Sequence, residues 1–110
     1  GYFLNVHEGP QSFSKKNKVN LKSGMIISNE PGYYKEGSFG IRIENLIYIK
    51  KDKFEELTMV PIEKSLIKIK MLNKKEIIWL NKYHTKVKKN LIKFMNLKEK
   101  DNLIDACSPI

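Results

Sequence analysis

Residues 25–50 read Met25-Ile26-Ile27-Ser28-Asn29-Glu30-Pro31-Gly32-Tyr33-Tyr34-Lys35-Glu36-Gly37-Ser38-Phe39-Gly40-Ile41-Arg42-Ile43-Glu44-Asn45-Leu46-Ile47-Tyr48-Ile49-Lys50, and their pattern decides the fold. Met25-Ile26-Ile27 is a short apolar run after Gly24, which predicts a buried strand that ends at the Pro31-Gly32 turn. A second strand is predicted from Phe39 to Lys50. Side chains alternate along extended backbone, so Ile41, Ile43, Ile47 and Ile49 fall on one face and Arg42, Glu44, Leu46 and Tyr48 on the other. If the segment between the strands folds back as a loop, the strands pair antiparallel and Glu30 faces Glu44. Two unpaired carboxylates side by side are electrostatically costly, so a cation belongs there. Arg42 neutralises one of them, whereas a divalent metal neutralises both, and carboxylate oxygens suit hard ions such as Mn2+ or Mg2+. The competing reading is a half-exposed Glu44–Arg42 pair worth only about 0–1 kcal/mol.

Outward from this stretch the chain changes character. Gly9-Pro10 marks a turn, and residues 11–22 read as a polar loop. Residues 54–60 and 66–69 are predicted as further strands separated by Pro61, and Tyr33, Tyr34 and Phe39 as core or pocket-lining aromatics. Beyond residue 70 the period becomes helical. Asn73 with Glu76 approximates a capping box, and Ile77, Leu80, His84, Val87, Leu91 and Met95 fall on one face of a helix from Lys74 to Met95. His84 on that face reads as a packed or hydrogen-bonded structural histidine. A shorter helix is predicted from Glu99 to Ala106, ahead of Pro109. The fold class is α+β, with residues 1–70 mainly antiparallel strand and 71–110 a helical extension.

Composition sets the outer bounds. The 110 residues carry a net charge of +9, from 20 lysines and a single arginine, Arg42, against 12 acidic residues. Nucleic-acid recognition favours the planar guanidinium, so the near absence of arginine disfavours that function. Abundant Ile (14) and Asn (10) beside the lysines point to compositional bias and a solvated charge. Residues 71–110 hold 9 basic against 4 acidic side chains, so the helical part carries more than half of the excess. No apolar run approaches the ~18 residues of a membrane span, and no membrane partner is expected. Cys107 is the only cysteine, which excludes a disulfide framework and fits a reducing, cytoplasmic compartment.

Three ordered segments carry a family resemblance: Phe3-Leu4-Asn5-Val6-His7-Glu8-Gly9-Pro10, Asn29-Glu30-Pro31-Gly32-Tyr33-Tyr34 and Gly40-Ile41-Arg42-Ile43-Glu44-Asn45. Together they resemble the closing motifs of aminopeptidase P, the Xaa-Pro aminopeptidase branch of the pita-bread metallopeptidases. Glu76-Ile77-Ile78-Trp79-Leu80-Asn81-Lys82-Tyr83-His84 is similar to the C-terminal extension of the three-domain members. The resemblance implies the C-terminal half of a pita-bread catalytic domain in residues 1–70, followed by that extension. It implies that Glu30 is a metal ligand, that Glu44 bridges two divalent ions, manganese in the family, and that His7 contacts substrate and stabilises the reacting amide. Arg42 would orient the carboxylates. The substrates implied are peptides with proline at the second position, cleaved before the proline by a metal-activated water. A complete site also needs two aspartates and another histidine from the upstream half of the same domain. The chain alone is therefore expected to be an inactive fragment, with a homodimer through the extension as a further partner. The alternatives are a non-catalytic pita-bread binding module, a gene remnant and, last, a lysine-rich nucleic-acid binder.

Overall fold

The computed structural model describes Asn5 and residues 7–110, so Phe3, Leu4 and Val6 of the first motif lie outside the described residues. The chain forms two compact units, the first ending at Thr58 and the second running Met59–Ile110. The change of unit thus falls twelve residues before the change of sequence period at residue 70. The reason lies in residues 59–68, which have strand-like composition but join no sheet. Their first part, residues 59–65, serves the second unit as a strap that leads into a turn, where the Ile67 N–H donates to the Lys64 carbonyl.

Among the described residues, five strands build the first unit: β1 (Ile26–Asn29), β2 (Gly32–Lys35), β3 (Phe39–Arg42), β4 (Asn45–Ile49) and β5 (Phe54–Glu56). β1, β4 and β5 form one antiparallel sheet in the order β1-β4-β5, and β2 pairs with β3. The single strand expected over 39–50 is broken at Ile43-Glu44, and the segment expected to be a loop is itself a strand pair. Yet the two pairings share one register: Ile26 lies opposite Tyr48, Asn29 opposite Asn45, Gly32 opposite Arg42 and Lys35 opposite Phe39. The Ile43 N–H donates to the Pro31 carbonyl at 3.2 Å across the interruption. β1–β2 and β3–β4 are therefore two arms of one long hairpin, interrupted where proline removes a ladder donor. A three-residue turn at 36–38 closes it, with the Ser38 N–H donating to the Lys35 carbonyl and Gly37 at φ +64°.

Because the register is continuous, the predicted alternation survives the break. Ile27, Ile47 and Ile49 are buried together, with Leu21 and Met25 packed against them. Tyr33, Phe39, Ile41 and Ile43 share this parity but are exposed, and so is Tyr34 on the other face, so the hairpin aromatics do not join this core. Phe54–Glu56 pairs with β4, with Ile47 opposite Glu56, and ends earlier than expected.

The second unit is helical. A 3-10 turn at Ile69–Met71 replaces the strand predicted over 66–69 and leads into α1 (Lys74–Leu91). Asn73 caps α1 as expected: its side chain accepts from the Lys75 and Glu76 N–H groups, while Glu76 accepts from the Asn73 N–H. α1 stops at Leu91, four residues before the predicted end, and passes through a 3-10 turn, Ile92–Phe94, to extended backbone at Met95. A second capping box, Asn96 with Glu99, starts α2 (Leu97–Ala106) two residues earlier than predicted. Tyr83, Val87, Leu103 and Cys107 form the core, with Met59, Ile62, Leu91, Ile92 and Met95 packed on it. Tyr83 and His84 tie the strap to α1. The Tyr83 hydroxyl donates to the Val60 carbonyl (2.8 Å), and His84 Nε2 accepts from the Ile62 N–H (3.1 Å). No described helix is long and apolar enough to cross a membrane.

Candidate metal centre

Extending the shared register by one residue from the Asn29–Asn45 pair puts Glu30 opposite Glu44 at the interruption of the hairpin. Both lie on the face turned away from Ile27 and Ile47, together with Ser28, Gly32, Tyr34, Gly40 and Arg42. Arg42, opposite Gly32, joins the two carboxylates. Its Nη1 is 3.5 Å from Glu30 Oε2 and its Nε is 3.4 Å from Glu44 Oε2. The other Glu30 oxygen, Oε1, accepts a 2.6 Å hydrogen bond from the Ser28 hydroxyl. The cation that electrostatics requires between the carboxylates is thus partly supplied by the chain itself, and one carboxylate remains in excess of the guanidinium.

Tyr34 supports Arg42 from the same face. A Cβ added at Gly32 would come within 2.6 Å of the Tyr34 hydroxyl, and one at Gly40 within 2.7 Å of Tyr34 Cδ1. The ring therefore lies across both glycines, in space that only hydrogen side chains leave open. From there Tyr34 is the largest of the influences that raise the Arg42 pKa, ahead of Glu44 and Glu30. From sequence, Tyr34 reads only as a core or pocket-lining aromatic, with no tie to Arg42. The signal that identifies it is parity, because Tyr34 lies four residues from Glu30 on the same strand face.

His7 is exposed in irregular backbone before Gly9. Among the described residues no hydrogen bond or ion pair links it to Glu30, Arg42 or Glu44. Two facing carboxylates fit hard divalent cations by donor chemistry. They are only part of a ligand set, and among the described residues no group of three or more His, Cys, Asp or Glu side chains is placed to hold an ion. His84 is fully buried in the second unit and belongs to its packing.

Residues 1–51 match the metallopeptidase family M24, and residues 52–110 match the C-terminal region of peptidase M24. The chain belongs to the M24 metallopeptidase family, and its α+β fold is the C-terminal part of the pita-bread architecture. Among its relatives it is similar to Aminopeptidase P2 of Arabidopsis thaliana, 45% identical over 101 residues that cover 79% of this chain and 14% of that protein. It is also similar to Xaa-Pro aminopeptidase 1 of Dictyostelium discoideum, 44% identical over 84% of this chain and 17% of the relative. Among solved structures it resembles the X-prolyl aminopeptidase of Caenorhabditis elegans, a cytosolic enzyme with a di-nuclear active site. There the TM-score is 0.78 at 33% identity, covering all of this chain and 20% of that one. The chain therefore spans less than a fifth of the length of these curated relatives.

Proposed function

We propose that these 110 residues form the closing part of the catalytic domain, followed by the helical C-terminal extension, of a metal-dependent Xaa-Pro aminopeptidase, which removes the first residue of peptides whose second residue is proline. The observation that carries this reading is Glu30 facing Glu44 in antiparallel register with Arg42 between them. In this role Glu30 and Glu44 would hold two divalent ions, manganese by resemblance to the family. The ions, when bound, supply Lewis acidity and a water acidic enough to act as a nucleophile at neutral pH. The chain's own residues set the stage for that chemistry. Ser28 fixes one oxygen of Glu30, and Arg42 holds the other together with Glu44, so that the carboxylates meet a metal already oriented. Tyr34 restrains the guanidinium in turn. His7 acts as an N–H donor to the substrate amide as it gains charge.

Two carboxylates do not complete a di-nuclear site, so the remaining ligands come from residues outside these 110, and the chain alone does not turn over. The compartment is cytoplasmic, as for the similar worm enzyme. A homodimer through the helical extension is consistent with Ile78 and Trp79, which α1 leaves half exposed. The test is a chimera in which this chain replaces the matching segment of the Caenorhabditis elegans enzyme, assayed with Mn2+ on peptides of the form Xaa-Pro-Xaa. The chimera is expected to release the first residue, and Glu30→Gln and Glu44→Gln to abolish release, with the 110-residue chain inactive. A folded chimera that is inactive, or that tolerates both substitutions, overturns the reading.

A further inference from the structure

The second unit contains a group that the peptidase reading leaves unused. His84 is fully buried, and its polar contact, Nε2 accepting from the Ile62 N–H, requires a lone pair on Nε2. The proton of the neutral ring must then sit on Nδ1, which is buried and has no hydrogen-bond partner among the described residues. The imidazolium carries N–H on both nitrogens. It cannot accept from Ile62 in either orientation of the ring, so the strap's bond and a protonated His84 are mutually exclusive.

The surroundings sharpen this exclusion. Lys64, two residues beyond Ile62 on the strap, is the charged group that acts on His84, and it has the same sign as the imidazolium. It is fixed by donating to the Asp105 and Ser108 carbonyls and to the Ser108 hydroxyl at the end of α2. On α1 the neighbouring ring is Tyr83, 6.0 Å away between centroids, and Cys107 is the titratable group that follows α2 into the Tyr83 cluster. No carboxylate hydrogen-bonds or ion-pairs with His84 among the described residues. Burial first and Lys64 second hold the imidazole pKa below its usual value of 6.5.

We propose that His84 is a proton-operated latch: its neutral ring holds the strap of residues 59–65 on α1, and protonation releases the strap. The unfolded or released imidazole takes up a proton near its ordinary range, whereas the docked one resists. The latch is therefore fully closed above about pH 7 and weakens as pH falls below about 6.5. Release uncovers Met59 and Ile62, which pack on the helical core, and frees the Val60 carbonyl from Tyr83.

The chain carries its own reporter. Trp79, the only tryptophan, stacks on Tyr83 with ring centroids 5.8 Å apart and planes 14° from parallel. Titrating the 110-residue chain from pH 7.5 to 5 should give one sigmoidal change in Trp79 emission. The change should persist in His7→Ala, which removes the other histidine, and vanish in His84→Gln, whose amide oxygen accepts from Ile62 without titrating. Its survival in His84→Gln, or its absence from the parent, overturns the latch. Should His84→Gln not fold, NMR of the parent decides. The Ile62 amide and the His84 ring should then titrate with a common midpoint, and an Ile62 amide that stays put while the ring titrates, or a ring that stays neutral down to pH 5, overturns the proposal.

Discussion

Replacing Gly37 tests whether the turn holds the register that brings Glu30 opposite Glu44. Gly37 has φ +64°, and a Cβ built there meets no heavy atom within 4 Å. A substitution therefore costs only the backbone penalty. For an L residue in the left-handed region that is about 1–2 kcal/mol. Losing glycine's freedom in the unfolded chain offsets about 0.4–1 kcal/mol of it. Gly37→Ala should thus weaken the hairpin by about 1 kcal/mol, equivalent to roughly fivefold in the opening equilibrium. Gly37→Asn should stay close to the parent, because asparagine tolerates this region. The probe is the Ile43 amide, which bonds across the interruption to Pro31 beside both carboxylates. Its hydrogen exchange, followed by NMR in the 110-residue chain, should be about fivefold faster in the alanine variant. An alanine variant that exchanges as slowly as the parent, or an asparagine variant as fast as alanine, would refute the reasoning.

Three further outcomes follow from the packing and the site. Val87 is fully buried at the centre of the helical core, and Val87→Ala removes two carbons. Transfer alone costs about 1.6 kcal/mol and the residual cavity raises this to about 2–3 kcal/mol. Urea unfolding followed at Trp79 should show the loss, while Leu97→Ala, at a residue 82% exposed, stays within about 0.5 kcal/mol of the parent. Tyr34→Phe removes the hydroxyl that acts on Arg42, so relaxation of the Arg42 Nε–H should report a more mobile guanidinium at an unchanged melting temperature; an equally ordered guanidinium contradicts the assigned role. Burial raises the Cys107 thiol pKa. Its reaction with an aromatic disulfide reagent at pH 7.5 should be at least roughly tenfold slower in the native chain than in urea, and equal rates would contradict a buried thiol.

Most of the site was legible because strand parity is robust. Alternation from Ile41 to Ile49 places Arg42 and Glu44 together whether the strand is continuous or, as found, broken at Ile43-Glu44. That Glu30 faces Glu44 required antiparallel pairing in the one register that the turn at 36–38 sets. Tyr34 was missed because an exposed strand aromatic has the same composition as a buried one. Its role depends on glycines at positions 32 and 40 of opposite strands, a relation that exists only once the register is known. The segment from Leu66 to Ile69 was misread for a related reason. Its apolar residues are strand-like, but the backbone turns at Lys64–Ile67 and enters a 3-10 turn, Ile69–Met71, that leads into the Asn73 cap. The helices were the most legible elements, since capping and a period of 3.6 are local. The end of α1 and the start of α2 shifted because Asn96 and Glu99 form a capping box that a reading centred on the longer helix overlooked.

Metal content tests the central claim most directly. The chimera carrying this chain, loaded with Mn2+, freed of excess and measured by elemental mass spectrometry, is predicted to hold two equivalents of metal per chain, and Glu44→Gln, which removes the carboxylate proposed to serve both ions, one or fewer. Glu44→Gln retaining both ions would contradict the assignment of Glu30 and Glu44 as partners in a di-nuclear centre.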